Sequence, residues 1–147
     1  MSSEKVHQMP KMEWSDSFSV GITKFDDQHK VILQYLNELY DALSGKGDQK
    51  EAVGKIVEGL IGYTLSHFQE EEVEMFRHEY PDYDAHKDMH DKLVSAAREF
   101  KTRFVVGRTS PRKLTIEIIA VLQEWLKGHI LGVDKKYSAF LKQRGVN

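Results

Sequence analysis

From residue 26 onward, apolar residues recur every three or four positions, the spacing of amphipathic helices rather than the alternation of strands. Ile32, Leu36, Leu39 and Leu43 share one face of a first segment, which Ser44-Gly45-Lys46-Gly47-Asp48 brings to an end. A second segment carries Val53, Ile56, Val57, Leu60, Ile61, Thr64 and Phe68 on one side. It is predicted to end near Tyr80-Pro81, because proline disfavours helical geometry at the residue before it. The third runs from about Tyr83 through Leu93, Ala97, Phe100 and Phe104 to Gly107. The fourth opens at Ser110-Pro111, a capping residue followed by proline at the first helical position. It continues through Leu114, Ile118, Leu122, Trp125 and Leu126 towards Phe140 and Leu141. Short links between such segments favour antiparallel neighbours, so the expected fold is an all-α, up-down-up-down antiparallel four-helix bundle. Residues 1–25 are different. Trp14, Phe18, Val20, Ile22 and Phe25 stand among polar residues with Gly21 in the middle, the pattern of an extended N-terminal arm packed on something larger. Arm (1–25) and bundle (26–147) read as one domain, 1–147.

Composition narrows the chemistry. A chain of 147 residues that is 40% hydrophobic can bury one core. Its 21 Lys and Arg against 23 Asp and Glu, with no basic block, argue against a nucleic-acid partner. The polar N-terminus lacks the apolar run of a secretory signal. No stretch approaches the ~18 apolar residues of a membrane span. The expectation is a cytoplasmic protein without membrane insertion. Zero cysteines exclude disulfides, thiolate metal sites and cysteine nucleophiles, while seven histidines remain. Any metal here is held by imidazole and carboxylate.

The histidines fall at ligand spacing. His67 and Glu71 are four apart in the second segment, as are His86 and His90 in the third, and each pair shares a helix face. His29 lies in the first segment; His129 lies in the fourth, five residues before Asp134. With turns centred on Lys46, Pro81 and Thr109, His29 lies 17 residues before the first and His67 21 after it. His86 and His90 precede the third turn by 23 and 19 residues, and His129 and Asp134 follow it by 20 and 25. At about 1.5 Å per residue, facing groups then differ in height by roughly one to two helical turns at most. Five histidines and two carboxylates converge on one layer, where burial would cost several kcal/mol unless they pair or bind metal. Spacing leaves Glu74 open beside Glu71 as the partner of His67. His78, four residues after Glu74, reads as half of an exposed ion pair, and His7 as part of the polar arm. Residues five apart do not share a face of a regular α-helix. A π-type bulge or an oblique approach by Asp134 is therefore predicted, with Gly128 and Gly132 permitting it.

The segments WSDSFSVGITKFDDQHK, HFQEEEVEM, YPDYDAHKDMH and WLKGHILGVDKKY resemble the hemerythrin family, specifically its single-domain bacterial members. The resemblance spans nearly the whole chain and departs at no ligand position. It implies a non-haem di-iron centre: His86, His90 and His129 on one iron, His29 and His67 on the other, and Glu71 and Asp134 bridging with an oxo or hydroxo group. O₂ would bind reversibly at the open position of the two-histidine iron, taking two electrons from the reduced pair and returning them on release. Phe68, Trp125 and Leu126 resemble the apolar wall over the family's O₂ pocket. Tyr63, one turn before His67, and Tyr137, three residues after Asp134, are candidates to orient ligands. No catalytic residue is assigned.

Ligand type alone also admits zinc, copper or manganese. The Glu-x-x-His pattern of ferritin-like di-iron enzymes is absent, and HKDMH lacks the glutamate that a zinc-protease motif requires after its first histidine. The expected role is O₂ carriage, storage or delivery, with O₂ and an O₂-consuming enzyme as partners. The alternatives are a di-iron enzyme that reduces peroxide, O₂ or nitric oxide, and an O₂ or redox sensor. Oligomeric state is not legible in the chain.

Overall fold

The computed structural model describes residues 11–45 and 50–147; His7 and the turn residues Lys46, Gly47 and Asp48 lie outside them. Its helices are α1 (Thr23–Ser44), α2 (Lys50–Arg77), α3 (Tyr83–Val106) and α4 (Pro111–Trp125). A π-helical stretch, Leu126–Asp134, joins α4 to α5 (Lys135–Gln143), so the last three elements form the fourth rod of the bundle. The described residues contain no strand. None of their helices is long and apolar enough to cross a membrane.

The apolar faces predicted for α1, α2 and α4 are turned inward, while Phe100 and Phe104 of α3 are half-buried against the same cluster. Ile32, Leu36 and Leu39 of α1, Val57 and Leu60 of α2, and Ile116, Ile119 and Leu122 of α4 are buried in one cluster. Burying each such side chain contributes about 1.5–3 kcal/mol. Met12, Val20 and Ile22 of the arm join that cluster, with Trp14 and Phe18 packed against it. The arm is therefore anchored by its apolar residues, and Asn37 Nδ2 donates to the Met12 carbonyl at 2.9 Å. Gly21 turns it at φ +76°, a backbone region that costs glycine little.

Three ends differ from or refine the sequence reading. Helix α1 starts at Thr23, three residues before the predicted Asp26. Asp26 sits in its first turn and accepts from the Val20 amide (2.8 Å) and Ser19 hydroxyl (2.6 Å), tying arm to helix. Helix α2 ends at Arg77, ahead of Tyr80-Pro81. There Glu79 takes φ +56°, the Tyr80 amide donates to the Met75 carbonyl (2.9 Å), and the Glu79 amide donates to Phe76 (3.2 Å). That pair of reversed bonds closes the helix before the proline can break it. Helix α4 starts as predicted: Ser110 Oγ accepts from the Lys113 amide at 3.2 Å, with Pro111 first in the helix.

The predicted π-type distortion is present over Leu126–Asp134. Its hydrogen bonds skip one more residue than an α-helix, which brings residues five apart towards one face. Gly128 and Gly132 lie on the exposed side, where a low helix propensity makes the wider turn cheaper. The result turns both His129 and Asp134 inward.

Candidate metal centre

Four rods each contribute to one layer: His29 from α1, His67 and Glu71 from α2, His86 and His90 from α3, and His129 and Asp134 from the π stretch. All seven are buried, none more than 6% exposed. The i,i+4 pairs of α2 and α3 supply two groups apiece because one helical turn returns each pair to the same face. Every imidazole points its Nε2 inward. His67 Nε2 lies 2.6 Å from Glu71 Oε1, and His90 Nε2 lies 3.8 Å from the same oxygen. Asp134 spans the layer. Its Oδ1 is 2.9 Å from His129 Nε2 and 3.3 Å from His86 Nε2, and its Oδ2 is 3.3 Å from His29 Nε2.

Two overlapping groups result, each compact enough to hold one ion: His86, His90, His129 and Asp134, and His29, His67, Glu71 and Asp134. Asp134 belongs to both. The donor chemistry fits cations at these two positions. The Nε2 atoms of all five histidines and all four oxygens of Glu71 and Asp134 are buried without a hydrogen-bond partner. Buried polar atoms left unpaired cost about 1–3 kcal/mol each, more when charged, so such a cluster requires positive charge at its centre. Glu74, the alternative that spacing left open, pairs instead with Arg77 and His78, which stand towards solvent.

Electrostatics point the same way. Burial opposes ionisation of Asp134, yet the imidazoles of His129, His29 and His86 carry its carboxyl well below the usual range. Burial and repulsion from Asp134 push Glu71 up, and His67 and His29 bring it net below its ordinary value. Burial pushes the His90 imidazolium down to about 3. Burial opposes protonation of the His67 imidazole, yet Glu71 raises it, so in the absence of metal the carboxylates draw positive charge from a proton where a cation would otherwise sit.

The apolar candidates surround this layer. Phe68 stacks on His90 at 3.8 Å between ring centroids and lies 5.8 Å from the His67 ring. Trp125 stacks on His129 at 5.0 Å. Leu126 lines a small cavity against His29 with Trp14, Phe18 and Leu33. Tyr137 is fully buried, its ring edge-on to His86 at 4.9 Å. Burial and the nearby Glu71 and Asp134 raise its phenol well above the ordinary value. Tyr63 packs instead beside Tyr35, 6.2 Å between ring centroids, half-buried on the α1–α2 face.

Two residues that the sequence reading missed touch the histidines from outside. Gln28 Oε1 lies 2.5 Å from His67 Nδ1, and Glu72 Oε2 lies 2.9 Å from His90 Nδ1. Both contacts cross between helices. Glu72 sits inside an acidic run that looks solvated, and Gln28 beside a stronger candidate, His29. Position along one helix carries no signal for either.

Comparison with known proteins agrees with this geometry. Residues 20–141 match the profile of the hemerythrin HHE cation binding domain. The chain is 36% identical over 134 residues to a bacteriohemerythrin of Methylococcus capsulatus, covering 90% of this chain and 98% of that protein. It is 34% identical to a bacteriohemerythrin of Stenotrophomonas maltophilia, over 91% of this chain and 84% of the relative. Among solved structures, a wild-type hemerythrin superposes with a TM-score of 0.78 at 33% identity, over 88% of this chain and 97% of that one.

Proposed function

This chain belongs to the hemerythrin family, and we propose from that premise that it binds O₂ reversibly, as a carrier or store. One observation supports the reading most strongly: two ligand groups that share Asp134, lined by buried lone pairs that have no other partner. His86, His90 and His129 would hold one iron and His29 and His67 the other, with Glu71 and Asp134 bridging. When bound, the iron pair supplies the two electrons that O₂ takes up on binding and returns on release.

The chain's own residues do the remainder. Asp134, common to both ligand groups, and Glu71, whose Oε1 lies 2.6 Å from His67 Nε2 and 3.8 Å from His90 Nε2, would together fix the spacing of the pair. With both carboxylates bridging, His29 and His67 would give their iron one fewer protein ligand than His86, His90 and His129 give the other, which would leave room for O₂ there. Phe68, Trp125 and Leu126 keep water from the layer, and a dry surround slows loss of the reduced state. An apolar cavity of about 50 Å³ between α2, α3 and α4 ends at Thr64 and Leu65, one turn from His67, and offers a small apolar gas a place to lodge. Arm and bundle act as one domain, 1–147. The working environment is the cytoplasm, where the partner beyond O₂ is an O₂-consuming enzyme.

Carriage differs from catalysis in what becomes of the gas. Stopped-flow optical spectra of the diferrous protein mixed with O₂ should show an oxy form that lasts and reverts when O₂ is removed. Rapid decay to the diferric state, with turnover once reductant is supplied, would replace carriage by peroxide, O₂ or nitric oxide reduction.

A further inference from the structure

The outer nitrogens of the histidines are not treated alike. His29 Nδ1 and His86 Nδ1 are buried with no hydrogen-bond partner. In each ligand group one histidine is backed by a side chain from a neighbouring helix: His67 of α2 by Gln28 of α1, and His90 of α3 by Glu72 of α2. The backing amide has only one useful orientation. Gln28 Nε2 donates to Glu70 Oε2, so its carbonyl Oε1 faces His67. A carbonyl only accepts, and therefore His67 Nδ1 carries a proton, which leaves Nε2 as the nitrogen available to a metal. Lys24 lies 3.7 Å from Oε1, the other oxygen of the Glu70 carboxylate that orients the amide.

On the other side the same device has a different charge. Glu72 accepts from His90 Nδ1 directly and has Lys87 4.0 Å from its second oxygen. A carboxylate acceptor raises the basicity of a ligating imidazole more than a neutral amide does. We propose that Gln28 and Glu72 are positioning residues, each locking one histidine for metal binding, and that the charge of Glu72 makes the three-histidine position the stronger of the two. The inference rests on the ligand assignment above, and it concerns an inequality which that assignment does not contain.

Two isosteric variants isolate it. Glu72→Gln removes the charge while retaining an acceptor, and Gln28→Glu adds a charge on the opposite side. The metal-free proteins are titrated anaerobically with Fe(II), and the imidazole tautomers are read by ¹⁵N NMR before metal is added. The wild type should bind two ions in two resolved steps, with His67 and His90 both protonated at Nδ1. In Glu72→Gln the stronger constant should fall about 10–100-fold and the weaker one much less. In Gln28→Glu the weaker constant should rise, narrowing the gap. Unchanged constants in both variants, or equal changes in both steps, would overturn the inequality. A Nδ1 proton absent from His67 and His90 in the wild type would overturn the locking role. Fewer than two ions bound by the wild type would sink the ligand assignment instead, so the two failures are distinguishable. A contact that merely held helices together would change the melting temperature and leave the tautomers where they were.

Discussion

The two halves of the bundle solve opposite problems. Near the turns that join α1 to α2 and α3 to α4, Leu39, Leu43, Val53, Val57, Ile116 and Ile119 fill the interior with carbon, and the buried Thr115 hydroxyl is satisfied by donating to the Pro111 carbonyl at 2.7 Å. At the other end, five imidazoles and two carboxylates whose inward atoms have no hydrogen bond are packed among the buried side chains of Phe25, Met75, Tyr137 and Leu141. The first half holds itself together by removing apolar area from water. The second is satisfied only when positive charge occupies its centre. Fold and function thus divide in part along the bundle axis: one half is packed by apolar side chains, while in the other Phe25 and Tyr137 pack directly on His67 and His86.

The largest effect should come from the residue common to both ligand groups. Asp134→Ala removes a ligand from each position, and metal analysis should find well under one iron per chain. Glu71→Ala should also lose metal, though His86, His90, His129 and Asp134 still form one group. Two full irons in Asp134→Ala would show that the halves are not divided as described. Next comes metal removal from the unaltered protein. A ligand at a thousandfold excess over its Kd stabilises by about 4 kcal/mol. For a domain of this size the apo form should melt roughly 10 °C lower. Hydrogen exchange should rise most around His67, His90 and Asp134; uniform loss of protection through Leu39 and Ile116 would mean that the halves are coupled.

Leu39→Ala breaks the comparison from the other end. Leu39 is fully buried, and truncation should cost about 2–5 kcal/mol in denaturant unfolding. Two irons should still bind. Metal loss in this variant would show that the apolar frame and the centre act as one unit. The smallest change concerns the boundary. Leu126→Ala enlarges the cavity against His29 and should speed autoxidation of the oxy form several-fold with metal content unchanged. Identical autoxidation and O₂ release rates would remove its part in shielding the site.

Most of the frame was legible because a helix repeats in sequence what it presents in space. The faces built on Leu36, Leu60 and Leu122 follow from spacing alone. Helix ends were less so. Asp26 looked like the start of α1, but its carboxylate reaches back to Ser19 and Val20, so the helix begins before it. The close of α2 depends on Glu79 adopting a left-handed conformation that no residue type announces. In the site, His67 with Glu71 and His86 with His90 were readable as pairs because four residues make one turn. Asp134 was readable only as an anomaly. Five residues from His129, it demanded an irregular helix, and the π stretch supplies one.

By itself the sequence determined the donors and their approximate height: imidazole and carboxylate only, on four helices, at one level. Local periodicity is enough for that, since rise and rotation per residue are properties of the backbone. The division of the donors came from family resemblance and not from periodicity, and only the tertiary structure gave it distances. It joined His86 and His129 to His29 through Asp134 and His90 to His67 through Glu71, and it set Gln28 behind one histidine and Glu72 behind another. Those relations run between helices, where distance is fixed by packing and not by position in the chain.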